Sequence, residues 1–136
     1  MPIFAPQTLH MDLLLVACGT FMAGFAVFHL LFWKIFRWKE DLSKLHFANR
    51  AITQILNLRL IWFFLLIAFC CFCYLAELRN TNLGNALLAG VSLFWLGRTV
   101  EQFIFLKHNH PFVWVLTFLF IAGTLLFAVP LLEKPE

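Results

Sequence analysis

The chain has 136 residues, of which 62% are hydrophobic and 12% are charged. A soluble domain has about 25% charged residues, so this composition excludes an ordinary water-soluble domain. The formal net charge is only +3, and the basic residues lie beside apolar segments, as expected for a membrane protein. We therefore expect membrane lipids, and not nucleic acid, to surround the chain.

Four apolar segments follow one another along the chain, at about residues 12–33, 50–77, 84–107 and 111–132. Each is long enough to cross a bilayer as a helix, which takes about 20 residues. A basic stretch, WKIFRWK, follows the first segment and no basic residue precedes it, which is not the pattern of a cleavable signal peptide. The sequence predicts one all-α domain over residues 1–136, an integral membrane bundle of four helices.

The basic residues predict the orientation of these helices. The first link between spans has five of them, the third link adds Lys107, and the opposite side has only Arg79 and Lys134. Cytoplasmic links are rich in Lys and Arg, so we place the first and third links in the cytoplasm and both termini on the other side. A bacterial inner membrane is the predicted location. The basic residues of the first link are Lys34, Arg37, Lys39, Lys44 and Arg50.

The second predicted span has three polar residues on one face. Arg50, Gln54 and Asn57 point in directions of about 0°, 40° and −20° around a helix. A charged side chain at the centre of a bilayer costs about 2.5–3.5 kcal/mol on insertion scales. We therefore expect this face to point into the bundle.

The third predicted span includes the stretch GRTVEQ. Its residues Arg98, Glu101 and Gln102 also share a face, at about 0°, −60° and 40°. The i,i+3 spacing allows Arg98 and Glu101 to form an ion pair within the helix. In the first span, His29 and Trp33 belong to a stripe that also includes Cys18, Met22 and Phe25.

These polar groups are predicted to lie at one depth. At about 1.5 Å per residue, His29, Asn57 and Glu101 lie about 8, 10 and 9 Å from the cytoplasmic ends of their helices. We therefore expect a polar site in the cytoplasmic leaflet. Its candidate ligand-binding residues are His29, Trp33, Arg50, Gln54, Asn57, Arg98, Glu101 and Gln102.

Three functions are compatible with such a site. A pocket would bind an amphipathic or lipid-like molecule, with its anionic head at Arg98 and Arg50 and its tail among aromatic side chains. Alternatively, the polar residues only lock the helix packing of a structural or accessory subunit, because polar side chains join helices in membranes. A proton or ion path is disfavoured, because the outer half of the spans is Cys, Phe and Leu. No nucleophile with a base is evident, so the sequence leaves open whether the protein is an enzyme.

The remaining histidines and the cysteines carry weaker predictions. His46, His108 and His110 lie near the predicted cytoplasmic face, where a metal site is a minor alternative to solvated loop residues; we expect no metal. The four cysteines all lie within predicted spans, where they favour packing residues over a redox site.

The spacing of these polar residues resembles that of the MAPEG superfamily, the small membrane glutathione transferases and eicosanoid synthases. In that family the second helix has Arg, then Asn four residues later, then an acidic residue after three more, which Arg50, Gln54 and Asn57 match in spacing. A Gly-Arg step in the third helix is similar to Gly97 and Arg98.

The resemblance implies a homotrimer that holds glutathione or a lipid between subunits near Arg50, Gln54, Asn57 and Arg98, and transfers a group to a lipophilic substrate. This chain departs from the family pattern because Gln54 and Asn57 are both amides. Glu101 would have to supply the missing carboxylate.

Overall fold

The structure, a computed structural model, describes residues 6–133. In chain order its helices are α1 (Pro6–Leu30), α2 (Phe32–Ile35), α3 (Trp38–Asp41), a 3₁₀ turn at Leu42–Lys44, α4 (Phe47–Cys73), α5 (Leu75–Asn80), α6 (Asn82–Phe105) and α7 (Pro111–Leu132). No strand occurs in that range. Lys134, which entered the predicted orientation, lies outside the described residues.

The predicted fold class is confirmed. Helices α1, α4, α6 and α7 are long and apolar enough to cross a membrane, and together they form an all-α four-helix bundle. The chain is therefore an integral membrane protein. The first helix runs from Pro6 to Leu30, so it begins and ends earlier than the predicted span 12–33.

Local sequence features explain where the long helices begin. The Thr81 hydroxyl accepts a hydrogen bond from the Gly84 backbone N–H at 2.9 Å, which caps α6. The His110 ring nitrogen accepts one from the Phe112 N–H at 3.2 Å, and Pro111 occupies the first turn of α7, where its missing N–H costs nothing. These caps fix the two turns that precede α6 and α7.

The second span was predicted to run to residue 77 as one continuous helix, and the structure shows a break instead. Tyr74 leaves the helical conformation, with φ −124° and ψ 42°, and divides α4 from the short helix α5. Gly84 then packs tightly against α5, because a Cβ at Gly84 would lie 2.5 Å from the Leu78 backbone. The break allows α5 to change direction and pack against the beginning of α6.

Around the bundle the long helices stand in the order α4, α1, α7, α6, and the seam between α4 and α6 is wider than the others. Helix α1 packs against both α4 and α7, and α7 packs against α6. Helices α4 and α6 meet mainly through aromatic rings: Phe63 and Phe94 have centroids 5.2 Å apart, and Phe64 and Trp95 stack at 5.7 Å. The seam between α4 and α6 is therefore filled by large rings rather than by close backbone packing.

The stripe predicted on the first helix forms much of the core. Cys18 and Met22 are fully buried and Phe25 is nearly so. All four cysteines are free thiols, and the Cys18 thiol donates to the Leu126 carbonyl at 3.4 Å. Cys18 and Cys71 are buried and pack in the core, whereas Cys70 is partly exposed and Cys73 is exposed.

The first link differs from a single interfacial helix. Arg37 has a left-handed backbone with φ 49°, so the chain turns between α2 and α3. The Trp38 ring packs edge-on against Trp33 at 5.2 Å. Two i,i+3 ion pairs, Arg37 with Glu40 and Lys44 with Asp41, lie on the exposed side of the link.

An ion pair joins the helices at the end of the bundle away from this link. The Arg79 guanidinium on α5 donates to the Asp12 carboxylate on α1 at 2.6 Å, and both side chains are mostly buried. Sequence reasoning missed this pair because the two residues are far apart in the chain. It ties α5 to the beginning of α1.

Candidate functional site

A cavity at one end of the bundle is lined by four of the eight predicted site residues. This end, the site end, is where α1 and α6 end and where α4 and α7 begin. The cavity has a volume of about 410 Å³. Its walls combine many aromatic rings with four of the predicted polar residues, and the polar residues are His29, Arg98, Glu101 and Gln102.

The charged part of the cavity is one ion pair within α6. The Arg98 guanidinium donates to the Glu101 carboxylate at 2.6 Å, as the i,i+3 spacing predicted. The side chains remain 36% and 50% exposed, so the pair is not sealed inside the protein. The Arg98 guanidinium carbon also lies 5.1 Å from the centre of the Phe120 ring, a cation–π distance.

His29 lies in the wall of the cavity opposite this pair. Its Nδ1 is 2.9 Å from the Phe25 carbonyl; a carbonyl only accepts, so Nδ1 carries the proton and donates. The ring stacks on Phe32 with centroids 4.3 Å apart. This arrangement fixes the ring and leaves Nε2 as the nitrogen with no assigned partner among the described residues.

Two polar atoms in the cavity walls are buried and lack a hydrogen-bond partner among the described residues. They are the amide oxygen of Gln102 and the indole nitrogen of Trp95. The amide nitrogen of Gln102 is used, because it donates to the Val113 carbonyl at 3.2 Å. Both atoms are also out of reach of a water-sized molecule. Since buried polar atoms are nearly always paired, they are a cost of packing these walls and not contacts for a bound molecule.

The other four predicted site residues do not line the cavity. Asn57 is buried and its amide nitrogen donates to the His29 carbonyl at 3.0 Å. The Trp33 indole donates to the Gln54 side-chain oxygen at 3.4 Å, and the Gln54 amide donates to the Arg50 carbonyl at 3.1 Å. Asn57 thus joins α4 to α1, Gln54 joins α4 to α2 through Trp33, and the Arg50 side chain is exposed.

The sequence analysis missed several aromatic residues of the cavity, and three of them are buried. Phe64, Trp95 and Phe120 line it and are buried. A signal existed for one of them, because Trp95 precedes Arg98 by three residues and therefore shares its face of the helix. Phe64 and Phe120 lie among many other Phe residues, so nothing in the sequence distinguishes them.

A second cavity, called the outer cavity below, adjoins the first and is lined by residues of α1 and α7. Its volume is about 370 Å³ and its walls are almost entirely apolar. Phe25, Phe28 and Leu116 line both cavities. The only hydroxyl in its walls, on Thr20, donates to the Val16 carbonyl at 2.9 Å.

The histidines of the links do not come together. Within residues 6–133 there is no group of three or more His, Cys, Asp or Glu side chains that could hold a metal ion. His110 caps α7 through its ring nitrogen, and the His46 ring lies against Phe47 at 4.6 Å. Their observed roles are local.

Comparisons with known proteins identify no relative: no family model, no curated protein and no solved structure matches this chain.

Proposed function

We propose that the protein binds an amphipathic, lipid-like molecule, with its anionic head at Arg98 and its tail among the aromatic rings of the cavity. One observation carries this proposal. Arg98 is a partly exposed cation in a cavity with many aromatic rings in its walls, and its only ion-pair partner among the described residues is Glu101, on its own helix.

The walls suit the two parts of such a molecule. The Arg98 guanidinium in the wall supplies charged donors for an oxygen-bearing head. The tail would follow Phe28 and Leu116, which also line the outer cavity. A volume of about 410 Å³ falls within the usual range of small-molecule sites, about 300–1,000 Å³.

The orientation and location belong to the same proposal. The basic first and third links support a cytoplasmic position for the site end, and a bacterial inner membrane is the proposed location. The site would then lie in the cytoplasmic leaflet, where it faces cytoplasmic anions and lipid headgroups alike.

Group transfer is the chemistry that the MAPEG resemblance adds to this proposal, with glutathione as the second substrate and a homotrimer as the assembly. In support, Arg98 lies in the site. Against a family-like arrangement, Arg50, Gln54 and Asn57 lie outside the cavity walls. We therefore rank ligand binding above catalysis.

The alternative is a structural or accessory subunit whose polar residues only lock the helices. The hydrogen bond from Asn57 to the His29 carbonyl favours it, because that bond joins α1 to α4 with no role for a ligand. The two functions differ in what binds the Arg98 guanidinium. In a lock, Glu101 alone binds it, whereas in a binding site an external anion also binds it.

A binding measurement separates them. We would place single copies in small nanodiscs and titrate 11-(dansylamino)undecanoic acid and its uncharged methyl ester, subtracting the signal of empty nanodiscs. We expect the acid to bind at least about tenfold more tightly than the ester, a difference of about 1.4 kcal/mol. Arg98→Gln should reduce this ratio to about one. Arg79→Gln, at the opposite end, is the control and should preserve the ratio.

The proposal is wrong if the unmodified protein does not distinguish the acid from the ester, or if the ratio survives Arg98→Gln. In either case the lock is the better description.

A further inference from the structure

Arg59 is a charged residue on the outside of a membrane-spanning helix. It lies twelve residues after the first residue of α4, Phe47, or about 18 Å along the helix axis. Its side chain is exposed, and no hydrogen bond or ion pair joins it to the rest of residues 6–133. An arginine inside a bilayer is costly and is usually paired, and residues 6–133 supply no partner for Arg59.

The surroundings of Arg59 form a lipid-facing surface. Ile55 and Trp62, one turn away on the same face, are 55% and 59% exposed. The buried residues Asn57 and Ile61 point to the opposite side. Arg59 is therefore directed away from the cavity of its own chain.

Helix α6 has a complementary acidic surface. Glu101 is 50% exposed; its Oε2 is bound by Arg98, and its second oxygen has no partner among the described residues. Gly90 and Gly97 lie within about 40° of Glu101 around the helix, and a Cβ on either would meet no atom within 4 Å. This surface combines an available carboxylate with space for another helix to approach closely.

The two charges lie at compatible depths. Arg59 lies fourteen residues before the end of α4 at Cys73, and Glu101 lies nineteen residues after the start of α6 at Asn82. Measured from the end opposite the site, these positions are about 21 Å and 28 Å deep. Because helical side chains lean toward the N-terminus of their helix, Arg59 leans toward the site end and Glu101 leans away from it. The two side chains together shorten the difference.

We propose that two copies of this chain associate in the membrane, with the Arg59 surface of α4 in one copy against the Glu101 surface of α6 in the other. Arg59 of one copy then binds the carboxylate of Glu101 at the rim of its neighbour's cavity. A lipid phosphate would also neutralise Arg59, but it would leave unexplained the open glycine positions and the available carboxylate of α6.

This contact has a consequence for the cavity, which rests on the proposed function. An incoming Arg59 competes with Arg98 for the Glu101 carboxylate and so leaves Arg98 freer to bind an anion. The association itself does not depend on any ligand, and it is tested without one.

The test measures association in liposomes. Copies with a donor or an acceptor fluorophore on an N-terminal tag are mixed, and energy transfer is followed as the protein is diluted in lipid. We expect transfer above the random level for the unmodified chain. Arg59→Glu or Glu101→Arg should weaken association at least about tenfold, and the double exchange should restore it to within about threefold.

Glycine variants provide a second readout that leaves the charges in place. Gly90→Leu should also weaken association at least about tenfold, because it occupies the approach surface. The matched control is Gly24→Leu on α1, where a Cβ likewise meets nothing within 4 Å. This variant should leave the association unchanged. Thermal unfolding of each variant in detergent verifies that it folds.

Random transfer for the unmodified chain would overturn the proposal and leave a lipid phosphate as the partner of Arg59. Association that survives Arg59→Glu, or a double exchange that does not recover, would overturn it as well. Because the ligand assay uses single copies, failure here would leave the proposed ligand binding untouched and would remove only the proposed homotrimer. Failure of the ligand assay would leave this interface untouched.

Discussion

The Arg98 guanidinium and the Glu101 carboxylate lie 2.6 Å apart, yet 36% and 50% of their side-chain surfaces remain exposed. An ion pair whose open side faces water is worth little, about 0–1 kcal/mol. A sealed pair would behave differently, because removing one partner would leave a buried, uncompensated charge. The response of this pair to substitution therefore separates a binding site from a lock.

The stability of variants at this pair gives the first prediction. Arg98→Leu, Glu101→Leu and the double variant should show a coupling free energy below about 1 kcal/mol. The free energy of unfolding would be measured in mixed micelles by denaturant titration. Single variants that are each less stable than the double variant by about 3 kcal/mol or more would indicate a sealed lock.

The contact between α1 and α4 gives the second prediction. Asn57→Ala should lower the free energy of unfolding by about 1–3 kcal/mol, because it removes a buried donor from the His29 carbonyl. Gln54→Ala is the control. Its contact with Trp33 is long, at 3.4 Å, and the side chain is only half-buried, so we expect a loss below about 1 kcal/mol. Equal losses for both variants would contradict the assignment of Asn57 as the main polar tie.

The turn between α5 and α6 gives the third prediction. Gly84→Ala should destabilise the protein severely, because the new Cβ would lie 2.5 Å from the Leu78 backbone, which has no room to move. Gly24→Ala should be tolerated, since its Cβ meets nothing within 4 Å. Thermal midpoints of the purified variants compare the two directly. Similar midpoints would mean that α5 does not pack against Gly84 as described.

The ion pair at the end opposite the site gives the fourth prediction. Arg79→Gln should lower the unfolding free energy by about 1 kcal/mol, because Arg79 and Asp12 are 24% and 30% exposed and solvent screens them in part. The Asp12→Asn and Arg79→Gln pair should couple in a double-mutant cycle. The acid-to-ester binding ratio should stay constant in both. A change in that ratio would connect this end to the cavity, which the fold does not predict.

Much of the fold is readable from the sequence because the bilayer restricts the possibilities. Apolar segments of about 20 residues must be helical in lipid, and the four long helices match the predicted segments closely. The break at Tyr74 and the left-handed Arg37 were not predictable. Each depends on how the chain turns to pack against another helix, and neither residue type marks such a turn.

The candidate site was predictable only in part. Helical spacing identified the pairing of Arg98 with Glu101, which is local. It did not reveal that the Gln102 amide donates a hydrogen bond to the Val113 carbonyl of α7, or that the Asn57 amide donates one to the His29 carbonyl. Those contacts depend on the rotation of each helix about its axis, which tertiary packing sets and a single sequence does not encode in a readable form.

The affinity of the Glu101→Gln variant tests the central claim most directly. In single copies, removing the carboxylate frees Arg98 from its ion pair, so a binding site should gain affinity for an external anion. We predict that Glu101→Gln binds 11-(dansylamino)undecanoic acid about three- to tenfold more tightly than the unmodified protein, with no change for the methyl ester. Unchanged or weaker acid binding in a variant that still folds would contradict the account.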